Sequence, residues 1–196
     1  MTQNHKIIFE RVENASSLSS FYCGLKQMDD FIHDLKSGLN LYVELGLTNL
    51  WTVKIGEDVV AIFALSKSVL TLNSDDRRYL AGDGLKMDEV IFENKDNFPA
   101  IEIDYLAVSE KHRERKIGSF ILNEIAMKAC SDQLSATMFL TVEALVIPGV
   151  YSAVEFYKKN SFKDSEHGVI RDLVKQRNGE VCTTKRMYRL LYRKNV

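Results

Sequence analysis

Within six residues, from 111 to 116, the chain places Lys111, Arg113, Arg115 and Lys116 together with His112. Ahead of them, from Ile101 to Val108, apolar, aromatic and β-branched residues read as a strand that carries Glu102 and Asp104 at alternate positions. Behind them, from Gly118 onward, Ile121, Leu122, Ile125 and Ala129 recur at helical spacing. A strand that feeds a helix through a basic turn points the unpaired N–H groups of the first helical turn, and the positive end of the helix dipole, outward. The chemistry this suits is binding of an anion, above all a phosphate or pyrophosphate. Two common phosphate-binding patterns, G-x-x-x-x-G-K-S/T and G-x-G-x-x-G, are absent at this place.

Leu106-Ala107-Val108, then four residues, then Arg113-x-x-Lys116-x-Gly118-Ser119, resembles the acetyl-CoA-binding signature of the GCN5-related N-acetyltransferases, the GNAT family. That signature runs R/Q-x-x-G-x-G/A, so Arg113 and Gly118 match while Lys116 replaces the first glycine. Downstream, Ala153-Val154-Glu155-Phe156-Tyr157-Lys158-Lys159-Asn160-Ser161-Phe162 is similar to the family's A-x-x-F-Y-x-x-x-G-F, with Ser161 in place of glycine. The resemblance implies an α/β (α+β) fold: a mixed, mostly antiparallel sheet flanked by helices, whose splayed central strands hold acetyl-CoA as co-substrate without a metal. It further implies that the coenzyme lies against Leu106, Ala107 and Val108 and against the turn Arg113, Glu114, Arg115, Lys116, Ile117, Gly118 and Ser119, with Tyr157 beside its sulfur. The Lys116 side chain is expected to turn outward onto phosphate, with no need for a positive φ at that residue.

The reaction so implied is direct transfer of an acetyl group to a neutral primary amine. It needs a proton for the departing thiolate, which Tyr157 is placed to give, and a base for the amine, for which Glu102 and Asp104 on one strand face are the candidates. His112 is read as part of the phosphate turn and not as catalytic. A further stretch, Phe21-x-Cys23-Gly24 with Met28, Asp29 and Ile32, resembles the branch of the family whose toxins acetylate aminoacyl-tRNA. The acceptor therefore stays open among a small molecule, a protein and an aminoacyl-tRNA. An antitoxin would be the partner in the toxin case, and homodimerisation is left open. A domain that binds acyl-CoA without transferring it, its Lys116 and Ser161 standing where glycines are usual, is the competing reading, and a structural or interaction protein is a third.

The elements that must position these residues are ordinary ones. With 196 residues the chain has the length of a single domain with a substantial core, expected to span 1–196. A net charge of −1 argues against a protein built mainly around the nucleic-acid backbone. Acids gather between Asn73 and Asp104 and bases toward the C-terminal end, Lys185, Arg186 and Arg189 among them, which reads as solvated charge. No apolar run reaches the roughly 20 residues of a membrane helix, and the start lacks a signal-peptide pattern, so the cytoplasm is the expected location. Cys23, Cys130 and Cys182 are too few and too scattered for a disulfide framework or a zinc site.

Lys6 to Val12 reads as a strand, and apolar spacing from Leu25 to Tyr42 predicts one amphipathic helix to about Glu44, loosened at Gly38. Leu50 to Ile55 and Val59 to Leu65 flank Gly56-Glu57-Asp58 as a hairpin. A short helix is expected among the aspartates of Asn73 to Pro99, a stretch that could influence substrate choice. Met138 to Val142 reads as a strand, Glu143 to Val150 as a loop, Tyr151 to Asn160 as a helix, and Met187 to Leu191 as the last strand.

Overall fold

The computed structural model describes residues 6–82, 95–113, 115–132, 135–165, 172–173 and 182–191. The chain divides into two compact units, Met1–Ser66 with Ile103–Glu124 and Lys67–Glu102 with Ile125–Val196. Strands β3 (Asp58–Thr71) and β4 (Asn97–Val108) and helix α4 (Ile117–Ser131) run from one unit into the other.

In the first unit β1 (Ile7–Val12) pairs antiparallel with β2 (Asn49–Ile55), from Ile7 opposite Ile55 to Val12 opposite Leu50. β2 in turn pairs antiparallel with β3 across the expected hairpin, with a bulge at Val53/Lys54. The run Val60 to Ala64 is buried at every residue, as a strand covered on both faces requires. Helices α1 (Lys26–His33) and α2 (Leu39–Glu44) and the 3₁₀ turn Ala15–Leu18 supply Leu18, Ile32 and Leu39 to a core shared with Phe21, Cys23, Leu50, Ile62 and Ala107.

The single helix expected from Leu25 to Glu44 is broken instead, and the cause is Asp34. Its carboxylate accepts from the N–H groups of Lys36 (2.9 Å) and Ser37 (3.1 Å), a local turn that competes with helix continuation. Gly38 then lets the chain pass close to α1, since a Cβ there would lie 2.1 Å from the Phe31 carbonyl oxygen.

In the second unit the strand order is β3, β4, β5 (Phe139–Ile147), β9 (Cys182–Leu190), β7 (Lys163–Asp164). β6 (Tyr151–Ser152) pairs with β5, and β8 (Asp172–Leu173) with β9. Its core holds Leu70, Leu72, Leu80, Phe98, Ala100, Phe139 and Tyr188. Phe139 meets Phe98 and Tyr188 edge to face, at 5.7 and 5.8 Å between ring centroids. The helix expected among the aspartates is α3 (Ser74–Gly82), started by Asn73, whose side-chain oxygen accepts from the Asp76 N–H at 2.6 Å. Residues 83–94 of that stretch, with Asp83, Asp88, Glu89 and Glu93, lie outside the described residues, as do Arg171, Lys175, Arg177, Arg193 and Lys194.

Three sequence boundaries move in this unit. Glu143 to Ile147, expected as loop, continues β5, because it stays paired with β9 from Glu143 opposite Arg186 to Val146 opposite Thr183. Tyr151 and Ser152, expected as helix, pair with Ile147 and Val146, so α5 (Val154–Lys159) starts later. The last strand starts at Cys182, well ahead of Met187, for the same reason of pairing. Among the described residues no helix is long and apolar enough to cross a membrane, no group of acidic, histidine and cysteine side chains could hold a metal, and no disulfide joins the three cysteines.

Candidate functional site

The basic turn begins where β4 ends. The Ser109 N–H donates to the Val60 carbonyl at 2.9 Å, fixing the strand end to β3, and Glu110–His112 forms one 3₁₀ turn. The first intrahelical bond of α4 runs from the Phe120 N–H to the Lys116 carbonyl at 3.0 Å, so the N–H groups of Ile117, Gly118 and Ser119 lie ahead of the ladder. No acid sits in the first turn of the helix, while Lys111, Arg113, Arg115 and Lys116 are exposed around it. Ile117 and Gly118 are buried, as is Ala107 on the strand, whereas Leu106, Val108 and Ser119 are half-buried. Glu114 lies outside the described residues.

Lys116 itself departs from expectation. It has φ 56°, in the left-handed region, and so does Ser161, with φ 66°. Among the described residues these are the non-glycine positions with positive φ, and they are the two places where the resembling motifs carry glycine. The premise that Lys116 needs no positive φ is thus overturned: the turn demands the left-handed conformation and the chain adopts it with a lysine. A left-handed L-residue costs roughly 1–2 kcal/mol, and glycine loses part of that gain again through its unfolded-state freedom. Lys116→Gly and Ser161→Gly are each expected to raise stability by about 0.5–1 kcal/mol in urea unfolding. A loss of stability in both would remove backbone strain as the explanation.

The stretch Phe21 to Gly24 packs onto this turn. The Tyr22 carbonyl accepts from the Glu110 N–H at 3.1 Å, and the Cys23 carbonyl accepts from the Arg113 guanidinium. Asp29 holds the loop in place, one oxygen accepting from the Cys23 N–H (2.8 Å) and the other from the Gly24 N–H (3.0 Å). Gly24 has φ 77°, and a Cβ there would lie 2.9 Å from the Glu110 carboxyl carbon. The residues of the toxin-like stretch therefore have a local structural task, which the sequence showed only as a motif. Burial pushes the Cys23 thiol up to about 11, against a smaller lowering by the Leu25 carbonyl, so it stays a neutral thiol at physiological pH.

Tyr157 lies in α5, 5% exposed, its ring edge-on to Phe156 at 5.1 Å and to Phe162 at 5.2 Å. The helix closes on Ser161 in a Schellman arrangement: the Phe162 N–H donates to the Tyr157 carbonyl (3.0 Å) and the Ser161 N–H to that of Lys158 (3.1 Å). Tyr157 and Phe162 are then the apolar pair that accompanies such an end, which gives the spacing of the second motif a folding reason. Burial, with Tyr151 adding to it, pushes the phenol above its ordinary range. It remains a proton donor throughout the neutral range.

The two candidate bases differ. Glu102 is engaged at both oxygens, by Arg186 at 2.5 Å and by the Ser68 hydroxyl at 2.9 Å. Arg186 also reaches Glu143 at 3.3 Å, and Glu143 accepts from Thr184 at 3.0 Å. Asp104 accepts from the hydroxyls of Thr48 (2.6 Å) and Ser66 (2.9 Å) and is exposed. Glu102 must give up its ion pair with Arg186 before it can take a proton. Arg186 was missed in the sequence, where nothing marks it among the many C-terminal bases. Its side chain is 17% exposed between two carboxylates, so Arg186→Leu leaves Glu102 and Glu143 without their common cation. The expected loss is about 2–3 kcal/mol in urea unfolding, less than for a fully buried pair, and unchanged stability would show the network to be solvated.

Known structures extend this picture. A tyrosine-to-phenylalanine mutant of KacT aligns with a TM-score of 0.59 at 17% identity, over 92% of this chain and 95% of that one. AtaT complexed with acetyl-methionyl-tRNAfMet aligns at 0.58 and 16% identity, over 91% and 94%. An AtaT mutant bound to the C-terminus of the antitoxin AtaR and acetyl-CoA gives 0.57 and 15%, over 91% and 92%. The chain has a GNAT-type fold. No protein-family profile and no curated protein sequence matches it. A GNAT-type fold agrees with the mixed sheet and flanking helices expected from the two motifs, and AtaT, which shares it, is a toxin.

Proposed function

We propose that this protein is an acetyl-CoA-dependent N-acetyltransferase that moves the acetyl group directly to a primary amine. The observation that carries the reading is the turn from Lys111 to Ser119, where a helix start without acids, exposed cations and a left-handed Lys116 meet at one place. Backbone N–H groups and positive charge there would hold the pyrophosphate, with Leu106, Ala107 and Val108 along the pantetheine arm. The amine nitrogen bonds to the thioester carbonyl carbon, the C–S bond breaks, and the thiolate takes the phenolic proton of Tyr157. The amine loses its proton to Glu102, once Arg186 lets go, or to Asp104 on the same strand. Release of free thiol from acetyl-CoA over a panel of amines tests this; binding without release under every acceptor would leave a non-catalytic acyl-CoA-binding domain.

A second reading concerns the acceptor. AtaT was solved with acetyl-methionyl-tRNAfMet and with an antitoxin segment, and the Phe21 to Asp29 stretch that resembles such toxins is built into the turn. Aminoacyl-tRNA is therefore the acceptor to try first, with an antitoxin as the protein partner. Transfer of labelled acetyl to charged tRNA, set beside transfer to free amino acids and to peptides, decides between the classes.

A further inference from the structure

We propose that the Phe21–Gly24 loop, held by Asp29, sets the conformation of the basic turn, and that Arg113 acts as a positioning residue of that turn and not as a phosphate ligand. This rests on the reading of the turn as the acetyl-CoA site. Arg113 is the residue that sequence alone would aim at phosphate, yet its guanidinium donates to the Cys23 carbonyl, across a sequence separation of 90 residues. That carbonyl is presented because the same peptide region is fixed from the other side. Asp29 takes the N–H groups of Cys23 and Gly24 on separate oxygens, at 2.8 and 3.0 Å. The Glu110 N–H, at the start of the 3₁₀ turn, donates to Tyr22 next door. The loop is anchored in turn to α1, where a His33 ring nitrogen sits 2.9 Å from the Phe21 carbonyl and the His33 ring lies 4.6 Å from that of Tyr22. Gly24 completes the fit, for a side chain there would run into the Glu110 carboxylate. Both ends of the turn before Lys116 are thus tied to one loop, and through it to a carboxylate on α1. The cations left for phosphate are Lys111, Arg115 and Lys116.

Positioning and direct contact make different predictions for charge. Glutamine keeps an N–H donor for the Cys23 carbonyl but carries no charge, so Arg113→Gln should bind acetyl-CoA within about twofold of the parent and with the same salt dependence. Arg113→Ala and Asp29→Ala should each weaken binding by about tenfold, and the double variant should be no weaker than the weaker single one, because both break one linkage. Titration calorimetry of the full chain with acetyl-CoA at two salt concentrations reads all of this. Amide exchange over residues 110–119 should quicken in Asp29→Ala without ligand, which a direct phosphate contact at Arg113 would not require. Arg113→Gln as weak as Arg113→Ala, with a flatter salt dependence, would make Arg113 a phosphate ligand and overturn the proposal. Parent-like affinity in Asp29→Ala would overturn it too. Should Asp29→Ala fail to fold, the Gln and Ala variants of Arg113 still decide between the two roles. A parent that binds no acetyl-CoA would instead defeat the functional reading itself, and this inference with it.

Discussion

Replacing Tyr157 by phenylalanine is expected to lower kcat by about 100-fold or more while acetyl-CoA affinity and thermal stability stay close to those of the parent. The substitution keeps the ring that packs on Phe156 and Phe162 and removes only the hydroxyl. That separation matters here, because the same tyrosine is part of the apolar closure of α5. Tyr157→Ala would confuse the two roles by opening the Tyr157–Phe162 contact, whereas Phe leaves it intact. Burial keeps the phenol protonated well above neutral pH, so the hydroxyl can donate in every turnover and the acid limb of activity should show no loss from this group. A thiol is a fair leaving group, and with a strongly nucleophilic amine the loss would shrink. Equal activity of the Phe variant across several acceptors would return Tyr157 to a packing residue and leave proton transfer to Asp104, Glu102 or water.

What could be read in the sequence, and what could not, follows the range of the interactions. The switch of period between Val108 and Gly118 is local, and the strand, the basic turn and the helix all stand where it placed them. The φ of Lys116 was not legible, since side-chain type reports preference and a fold can hold a residue against it. The break after His33 could have been found, because Asp34 with Lys36 and Ser37 is a turn signal, but apolar spacing spoke for one continuous helix. The extension of β5 past Val142 was hidden because its reason lies in β9, where Arg186 stands opposite Glu143. Arg186 was hidden by the same distance, being 84 residues from Glu102. Asp29 was legible only as part of a motif; the two N–H groups it receives, and the guanidinium beyond them, are properties of the folded loop.

Gly118→Val is expected to weaken acetyl-CoA binding by about 100-fold or more. Gly118 is buried in the first turn of α4, next to Ile117 and directly before Ser119, where the N–H groups precede the helical ladder. A phosphate reaching those groups must come within hydrogen-bond distance of the backbone, and a β-branched side chain occupies that approach. Hydrogen bonds to a charged group contribute roughly 1.5–3 kcal/mol each, so losing two of them accounts for the expected fall. Because Gly118 is buried, urea unfolding of each variant is measured beside the titration, so that a loss of binding counts only where the fold is kept. Gly118→Ala, with one methyl, should lie between valine and the parent. Calorimetric titration of the three proteins reads the series. Affinity unchanged in the valine variant would put the coenzyme phosphates somewhere other than this turn, and the cations around it would then be solvated charge.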